Sequence, residues 1–219
     1  MATILCIETT TTNCSVALSM DGIVVSLKEE NDKNYSHAEK LHLFIEEVLV
    51  KCEITKDKLD AIAVSKGPGS YTGLRIGVSA AKGLCFALEI PLISIPTLEA
   101  LACQVKNTDG IIIPMLDARR LEVYSAVFSK DKFQIRDTRA EVLNDHSFAN
   151  HLNENIIYFI GNGVEKFKPI CKHNNAIFMD KNLPSSNEMG ILAENKYQNN
   201  EFEDVAYFEP YYLKDFIAG

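Results

Sequence analysis

Apolar and polar positions along the chain fall into blocks whose period changes from two to nearly four. TILCI, residues 3–7, is a short β-rich run, and SVALSM and IVVSLKE flank Asp21-Gly22. A D-G pair between such runs predicts a tight hairpin, so the chain opens with three strands, the last two antiparallel. In SHAEKLHLFIEEVLVKC the residues Leu41, Phe44, Ile45, Val48 and Leu49 recur at helical spacing. Ser36 and Glu39 stand at its start with the spacing of a capping box. LDAIAVS reads as a buried strand, GLRIGVSAAKGLCFAL as a second helix and PLISI as a strand. A third helix starts at Pro96-Thr97 and runs through LEALACQV. A loop is expected at 107–110, and the boundary between two domains, 1–106 and 107–219, is placed there.

The second half starts over. GIIIPMLDAR is a strand ending in an acid, EVYSAVFS is another, and a turn at 130–132 precedes a short strand at 139–142. HSFANHL reads as helix and NIIYFIG as strand, with a turn between Gly161 and Gly163 and a short helix through Phe167. Ser185 and Glu188 repeat the capping-box spacing ahead of a helix through Lys196. The aromatic tail (Tyr207, Phe208, Tyr211, Tyr212, Phe216) is irregular and is expected to pin the C-terminus. The halves share a plan of strand-to-acid, then strands, then helices, which is an α/β organisation.

Composition narrows the partners. With 219 residues, 47% of them hydrophobic, the chain can bury a substantial core. Its net charge of −8 makes the surface as a whole a poor match for phosphate backbones, so most contact with any nucleic acid would come from a partner. The six cysteines form no C-x-x-C pair and sit mostly in apolar runs, as reduced core residues do. No signal peptide and no apolar run of about 20 residues is visible, so a soluble cytoplasmic protein with no membrane contact is expected.

The stretch SKGPGSYTGLRIG joins a strand to a helix. It fails the Walker A pattern, since Leu74 and Arg75 follow Gly73, and it fails G-x-G-x-x-G by one residue. A glycine turn feeding a helix N-terminus can still hold an anion, with Lys66 and Arg75 adding charge. The alternative is a tight turn in which Gly67 and Gly69 supply positive φ and Ser70 or Thr72 caps the helix. Glu8, Thr9, Thr10 and Thr11 end the first strand in a hydroxyl-rich turn, suited either to a phosphate or magnesium-water site or to bonding the local backbone. Asp117 mirrors Glu8 in the second half, as a second acid of a cleft or as a surface ion pair with Arg119. The candidate nucleotide or phosphate set is therefore Glu8, Thr9, Thr10, Thr11, Gly67, Gly69, Ser70, Arg75 and Asp117.

Gly73, Gly77 and Ala81 stand at i, i+4 and i+8, bordered by Ala80, which lays a stripe of small residues along one helix face. Interior glycine costs a helix roughly 0.8–1 kcal/mol, so something packs closely there: either this chain or a partner's helix. His37 and His42, five apart, do not share a helix face and make no metal pair. No nucleophile–base set is recognisable, so a peptidase has no support.

ILCIETTTTNCSVALSMDG, then SKGPGSYTGLRIGVSAAKGLCFAL, then IPLISIPTLEALA together resemble the TsaB (YeaZ) family of the pathway that makes threonylcarbamoyladenosine (t6A) in tRNA. The resemblance is dense over 3–105 and looser through MLDARRLEVYSAVF and EPYYLKD. It implies an actin-like, hexokinase-like (ASKHA) α/β fold of two lobes, paralogous to the transferase TsaD. The H-x-x-x-H metal motif of TsaD has no counterpart here. The resemblance thus implies a noncatalytic subunit that binds and stabilises TsaD, with TsaE as third member. It would meet tRNA only through the complex and require no cofactor, with ATP or ADP and magnesium left open for the complex. It also implies an interface on two helices: His37, Leu41, Phe44, Ile45 and Val48 on the first, and Gly73, Ile76, Gly77, Ala80, Ala81 and Leu84 on the second. A homodimer could use the same face when the chain is alone. The alternative is an active ATP-dependent small-molecule kinase or acyltransferase of the same fold, working through Glu8, Asp117 and the threonines that follow Glu8.

Overall fold

The computed structural model describes residues 2–32, 37–106 and 108–214; Ser36 with its expected cap, and Phe216 of the tail, lie outside them. The three opening strands form as their alternation predicts: β1 (Thr3–Glu8), β2 (Asn13–Met20) and β3 (Ile23–Asn31) run antiparallel in sequence. Asp21 (φ 53°) and Gly22 (φ 77°) make the tight turn, both in the left-handed region that Asp and Gly tolerate. After α1 (His37–Lys51), β4 (Ala61–Gly67) pairs parallel to β1. α2 (Tyr71–Leu88) leads to β5 (Leu92–Pro96), parallel to β4, and α3 (Thr97–Ala102) follows. The sheet order is β3-β2-β1-β4-β5.

Both faces of this sheet are covered. Leu5, Ile7, Val16, Leu18, Ile62 and Val64 point to one side and meet Leu41, Phe44, Ile45 and Val48 of α1 and Val78, Ala81 and Cys85 of α2. Ile4, Cys6, Ala61, Ala63, Ile93 and Ile95 point to the other. That double burial explains why β1 and β4 read as continuous apolar runs.

The second unit repeats the plan: β6 (Ile111–Asp117), β7 (Glu122–Phe128) and β8 (Gln134–Val142) are antiparallel neighbours. α4 (Ala149–Glu154), β9 (Ile157–Ile160), α5 (Val164–Phe167) and β10 (Ala176–Met179) complete it, in sheet order β10-β9-β6-β7-β8. Phe148, Phe159, Phe167 and Phe178 form its aromatic core, with ring centroids 5.0–6.3 Å apart. β8 is longer than the expected strand at 139–142, and β10 carries no alternation that would announce it.

The expected boundary needs one correction. One compact unit comprises Met1–Ala100 together with Pro184–Gly219, and the other is Leu101–Leu183. The chain therefore leaves the first unit near Ala100 and returns at Pro184, so 107–219 is not one domain. The return is physical. α6 (Met189–Gln198) buries Met189 and Ala193 on the open face of the first sheet, against Ile4, Ile93 and Ile95. The segment before it is pinned by polar contacts: Ser186 Oγ lies 2.7 Å from Ser15 Oγ, and Ser185 Oγ donates to Glu29 at 2.6 Å. Among the described residues no helix is long and apolar enough to cross a membrane.

Candidate functional site

The glycine-rich turn and the threonine turn meet at the C-terminal ends of β1 and β4. Glu8, fully buried, ends β1. One of its oxygens accepts from the Thr10 backbone N–H at 2.6 Å and from Thr10 Oγ1 at 2.5 Å; the other accepts from Ser65 Oγ on β4. Burial pushes the Glu8 carboxyl above its ordinary value, and the bonds from Ser65 and Thr10 work against that rise. Thr9, Thr10 and Thr11 are buried too. Thr9 Oγ1 donates to the Gly73 carbonyl at 2.7 Å, and the Thr10 carbonyl accepts from the Ser70 N–H at 2.7 Å.

The start of α2 is thus occupied by its own chain. Ser70, not Thr72, is the cap: its Oγ accepts from the Gly73 N–H at 3.3 Å. Gly69 leaves room for Thr10, whose Cβ would lie 2.5 Å from any Cβ placed there. The expected anion cradle is filled by a carbonyl, and the carboxylate and hydroxyls that would face a phosphate or a magnesium-bound water all find partners within the chain. Of the candidate set, Glu8, Thr9, Thr10, Gly69 and Ser70 come together in this way; Thr11 Oγ1 accepts instead from the Asn13 N–H at 3.3 Å, and the Gly67 N–H donates to Thr97 Oγ1 at 3.2 Å.

Arg75 stands apart from it. Its guanidinium lies over the Tyr71 ring at 4.2 Å, and its Nε donates to Tyr212 Oη at 3.4 Å. Asp117 belongs to the second unit, exposed at the end of β6, where it accepts from the Arg119 backbone N–H and pairs with Lys166 Nζ, both at 2.6 Å. The ion pair expected with Arg119 is made by Lys166 instead, and Arg119 meets the carboxylate through its backbone N–H. Among the described residues no group of three His, Cys, Asp or Glu is placed to hold a metal ion.

The small-residue stripe is also corrected. A Cβ on Gly73 would lie 2.0 Å from the Thr9 carbonyl oxygen, and one on Gly77 would lie 2.3 Å from Thr9 Oγ1. Ala81 is fully buried in the core under α2. These residues admit the β1–β2 turn and the sheet, not a partner. The same holds for Leu41, Phe44, Ile45 and Val48, all buried against the sheet. His37 is buried with Nε2 donating to the Thr11 carbonyl at 2.7 Å, and burial lowers its pKa despite that bond. Of the expected interface, Ile76, Ala80 and Leu84 are only partly buried. The surface the sequence reading overlooked lies beside them: Leu43 and Val50 on α1, and Gly83 and Phe86 on α2, are exposed, and a Cβ on Gly83 would meet nothing within 4 Å. Phe86 is 82% exposed.

The tail borders that surface. Lys82 Nζ donates to the carbonyls of Ala206 and Phe208 at 3.1 and 2.9 Å, and the Tyr211 N–H donates to the Lys66 carbonyl at 2.7 Å. A groove of about 360 Å³ lies between α2 and the tail, lined by Arg75, Ser79, Lys82, Phe208, Glu209 and Tyr212. Apart from the Arg75–Tyr212 bond, the acceptors are backbone carbonyls, which leave no side-chain pattern in the sequence.

Comparison with known proteins places the chain. Residues 29–219 match the family described as TsaD, tRNA N6-adenosine threonylcarbamoyltransferase. The tRNA threonylcarbamoyladenosine biosynthesis protein TsaB of Escherichia coli (strain K12) is 29% identical over 224 residues, covering 98% of this chain and 96% of that protein. The TsaB of Bacillus subtilis is 37% identical over 126 residues, 58% of this chain and 55% of that protein. The solved structure of YeaZ from Pseudomonas aeruginosa superposes with a TM-score of 0.84 at 26% identity, covering 97% of this chain and all of that one. The expected α/β class, with two mixed sheets, holds, and the fold is that of the YeaZ structure.

Proposed function

The chain belongs to the family of the threonylcarbamoyltransferase TsaD, on its TsaB (YeaZ) branch, and from that membership we propose that it serves t6A synthesis in tRNA as a subunit that does no chemistry itself. In this reading it binds and stabilises a TsaD-type transferase in the cytoplasm, TsaE is the third member, and tRNA reaches it only within the assembly. It needs no cofactor of its own. One observation carries the noncatalytic part: the Glu8–Thr11 turn is sealed onto the start of α2, so the groups that would engage a nucleotide's phosphates are spent inside the chain. Nothing in that cluster supports the alternative of a kinase or acyltransferase.

The outward side of α1 and α2 is the docking face this reading requires. Leu43, Val50, Ile76, Ala80, Gly83, Leu84 and Phe86 give it apolar side chains and one bare backbone position. A like-folded lobe of the transferase could lay its helices there, and a second copy of this chain could do so in its absence. Reconstitution tests the proposal. The transferase, the TsaE-type ATPase, the activated threonylcarbamoyl donor and unmodified tRNA are combined with and without this chain. Modification that depends on its presence, with no turnover by the chain alone, is expected. Equal modification without it would sink the reading.

A further inference from the structure

The β6–β7 hairpin turns through Arg119 (φ 70°) and Arg120 (φ 49°). They are the one pair of consecutive non-glycine residues with positive φ among the described residues. This region disfavours bulky L side chains and suits Asn, Asp and Gly. The β2–β3 hairpin meets the same demand with Asp21-Gly22. Here two arginines stand in the disfavoured conformation, so the reason for them lies in their side chains. Those side chains do nothing within the chain: both residues are exposed, and among the described residues no hydrogen bond, ion pair or ring contact engages either guanidinium. The neighbouring carboxylate, Asp117, is already held by Lys166 and by the Arg119 backbone N–H. The tip therefore presents two uncommitted guanidinium forks on a protein whose net charge is −8.

We propose that the Arg119–Arg120 hairpin tip is a phosphate-binding finger that contacts the backbone of the RNA substrate within the assembly. The proposal rests on the functional reading above, which supplies the RNA. Guanidinium forks match phosphate oxygens in pairs, and backbone contacts of this kind fix where an RNA sits without reading its sequence.

Arg119→Asn with Arg120→Gly tests it, because the double variant removes both charges while installing residues the backbone prefers. Binding of unmodified tRNA to the complete assembly is measured by fluorescence anisotropy from 50 to 200 mM salt. Each lost phosphate contact flattens the slope of log K against log salt by about 0.7–0.9, so over this range the wild type should lose about tenfold more affinity than the variant. Lys56→Ser with Lys58→Ser, two charges removed from the 3₁₀ turn at Lys56–Lys58, is the control and should bind as wild type. The variant should melt no lower than wild type and co-elute with the transferase as wild type does. An unchanged salt slope, or the same loss in the lysine control, overturns the proposal. Loss of co-elution by the variant overturns it too, since the tip would then be meeting an acidic protein surface. Failure of the wild type to co-elute with the transferase is a separate readout and strikes the functional reading.

Discussion

Thr9 and Gly73 hold each other across 64 positions of sequence: Thr9 Oγ1 donates to the Gly73 carbonyl at 2.7 Å, while the Thr9 carbonyl oxygen lies 2.0 Å from where a Gly73 Cβ would stand. The threonine turn can seat on α2 only because glycine occupies that step. The seating then brings Thr10 to Ser70 and closes the turn over the start of the helix.

Substitutions along α2 should therefore split by face. Gly73→Ala forces backbone apart and should cost about 1–3 kcal/mol, the usual penalty of overpacking, despite alanine's better helix propensity. Gly77→Ala meets a hydroxyl that can rotate only by giving up its bond to Gly73, and should lose less. Gly83→Ala enters open space and should stabilise the chain by up to about 1 kcal/mol. Urea midpoints of the three variants read this order. A neutral Gly73→Ala would contradict the packing described.

Glu8→Gln separates a structural carboxyl from a catalytic one. The glutamine oxygen can keep both bonds from Thr10, and its NH₂ can donate to Ser65 Oγ, whose own hydrogen can turn to Met189 Sδ at 3.6 Å. Because burial raises the Glu8 pKa, the folded chain holds this proton more tightly than the unfolded one. Its contribution is whole below the ordinary 4.5 and is lost as pH rises through the elevated folded value. The melting temperature of the variant should therefore gain on wild type from pH 4 to pH 7, with modification by the assembly unchanged. A variant that loses the modification while still folded and bound would make Glu8 catalytic.

The periodic elements were legible because their patterns are local. Leu41 to Leu49 announce α1, the D-G pair announces the β2–β3 turn, and Ser70 and Thr72 narrow the α2 cap to two positions, of which the structure uses Ser70. The stripe was legible too, but its direction was not: periodicity shows that Gly73, Gly77 and Ala81 share a face, and only the seating of Thr9 shows what that face meets. The return at Pro184 escaped detection because the Ser15–Ser186 and Glu29–Ser185 contacts join residues 171 and 156 positions apart and leave no spacing signal. β10 escaped because none of its four residues is fully buried, whereas β9, equally short, carries a buried apolar run that the sequence shows.

The cysteines should react in two classes. Cys6, Cys14, Cys85 and Cys171 are buried, and burial pushes the thiols of Cys6 and Cys85 up to about 12 and that of Cys14 to about 11. Cys52 and Cys103 are partly accessible. Iodoacetamide at pH 8 should label these two in the native protein and reach the other four only after urea unfolding, as counted by intact mass. Rapid native labelling of Cys6 would mean that the first sheet opens far more readily than its double cover implies.

The docking face yields the sharpest contrast with the buried stripe. Phe86 is 82% exposed, so it contributes little to the fold, and Phe86→Asp should leave the urea midpoint within about 0.5 kcal/mol of wild type. At a packed interface the same change would bury an unpaired charge, and the transferase should no longer co-elute on gel filtration. Gly83→Leu, adding bulk at the bare position, should act the same way and leave the monomer folded. Leu121→Asp on the second unit, also at an exposed apolar residue (54%), is the matched control and should co-elute normally. If Phe86→Asp and Gly83→Leu both co-elute, the outward side of α2 is not where the partner binds, whatever the chain does in the assembly.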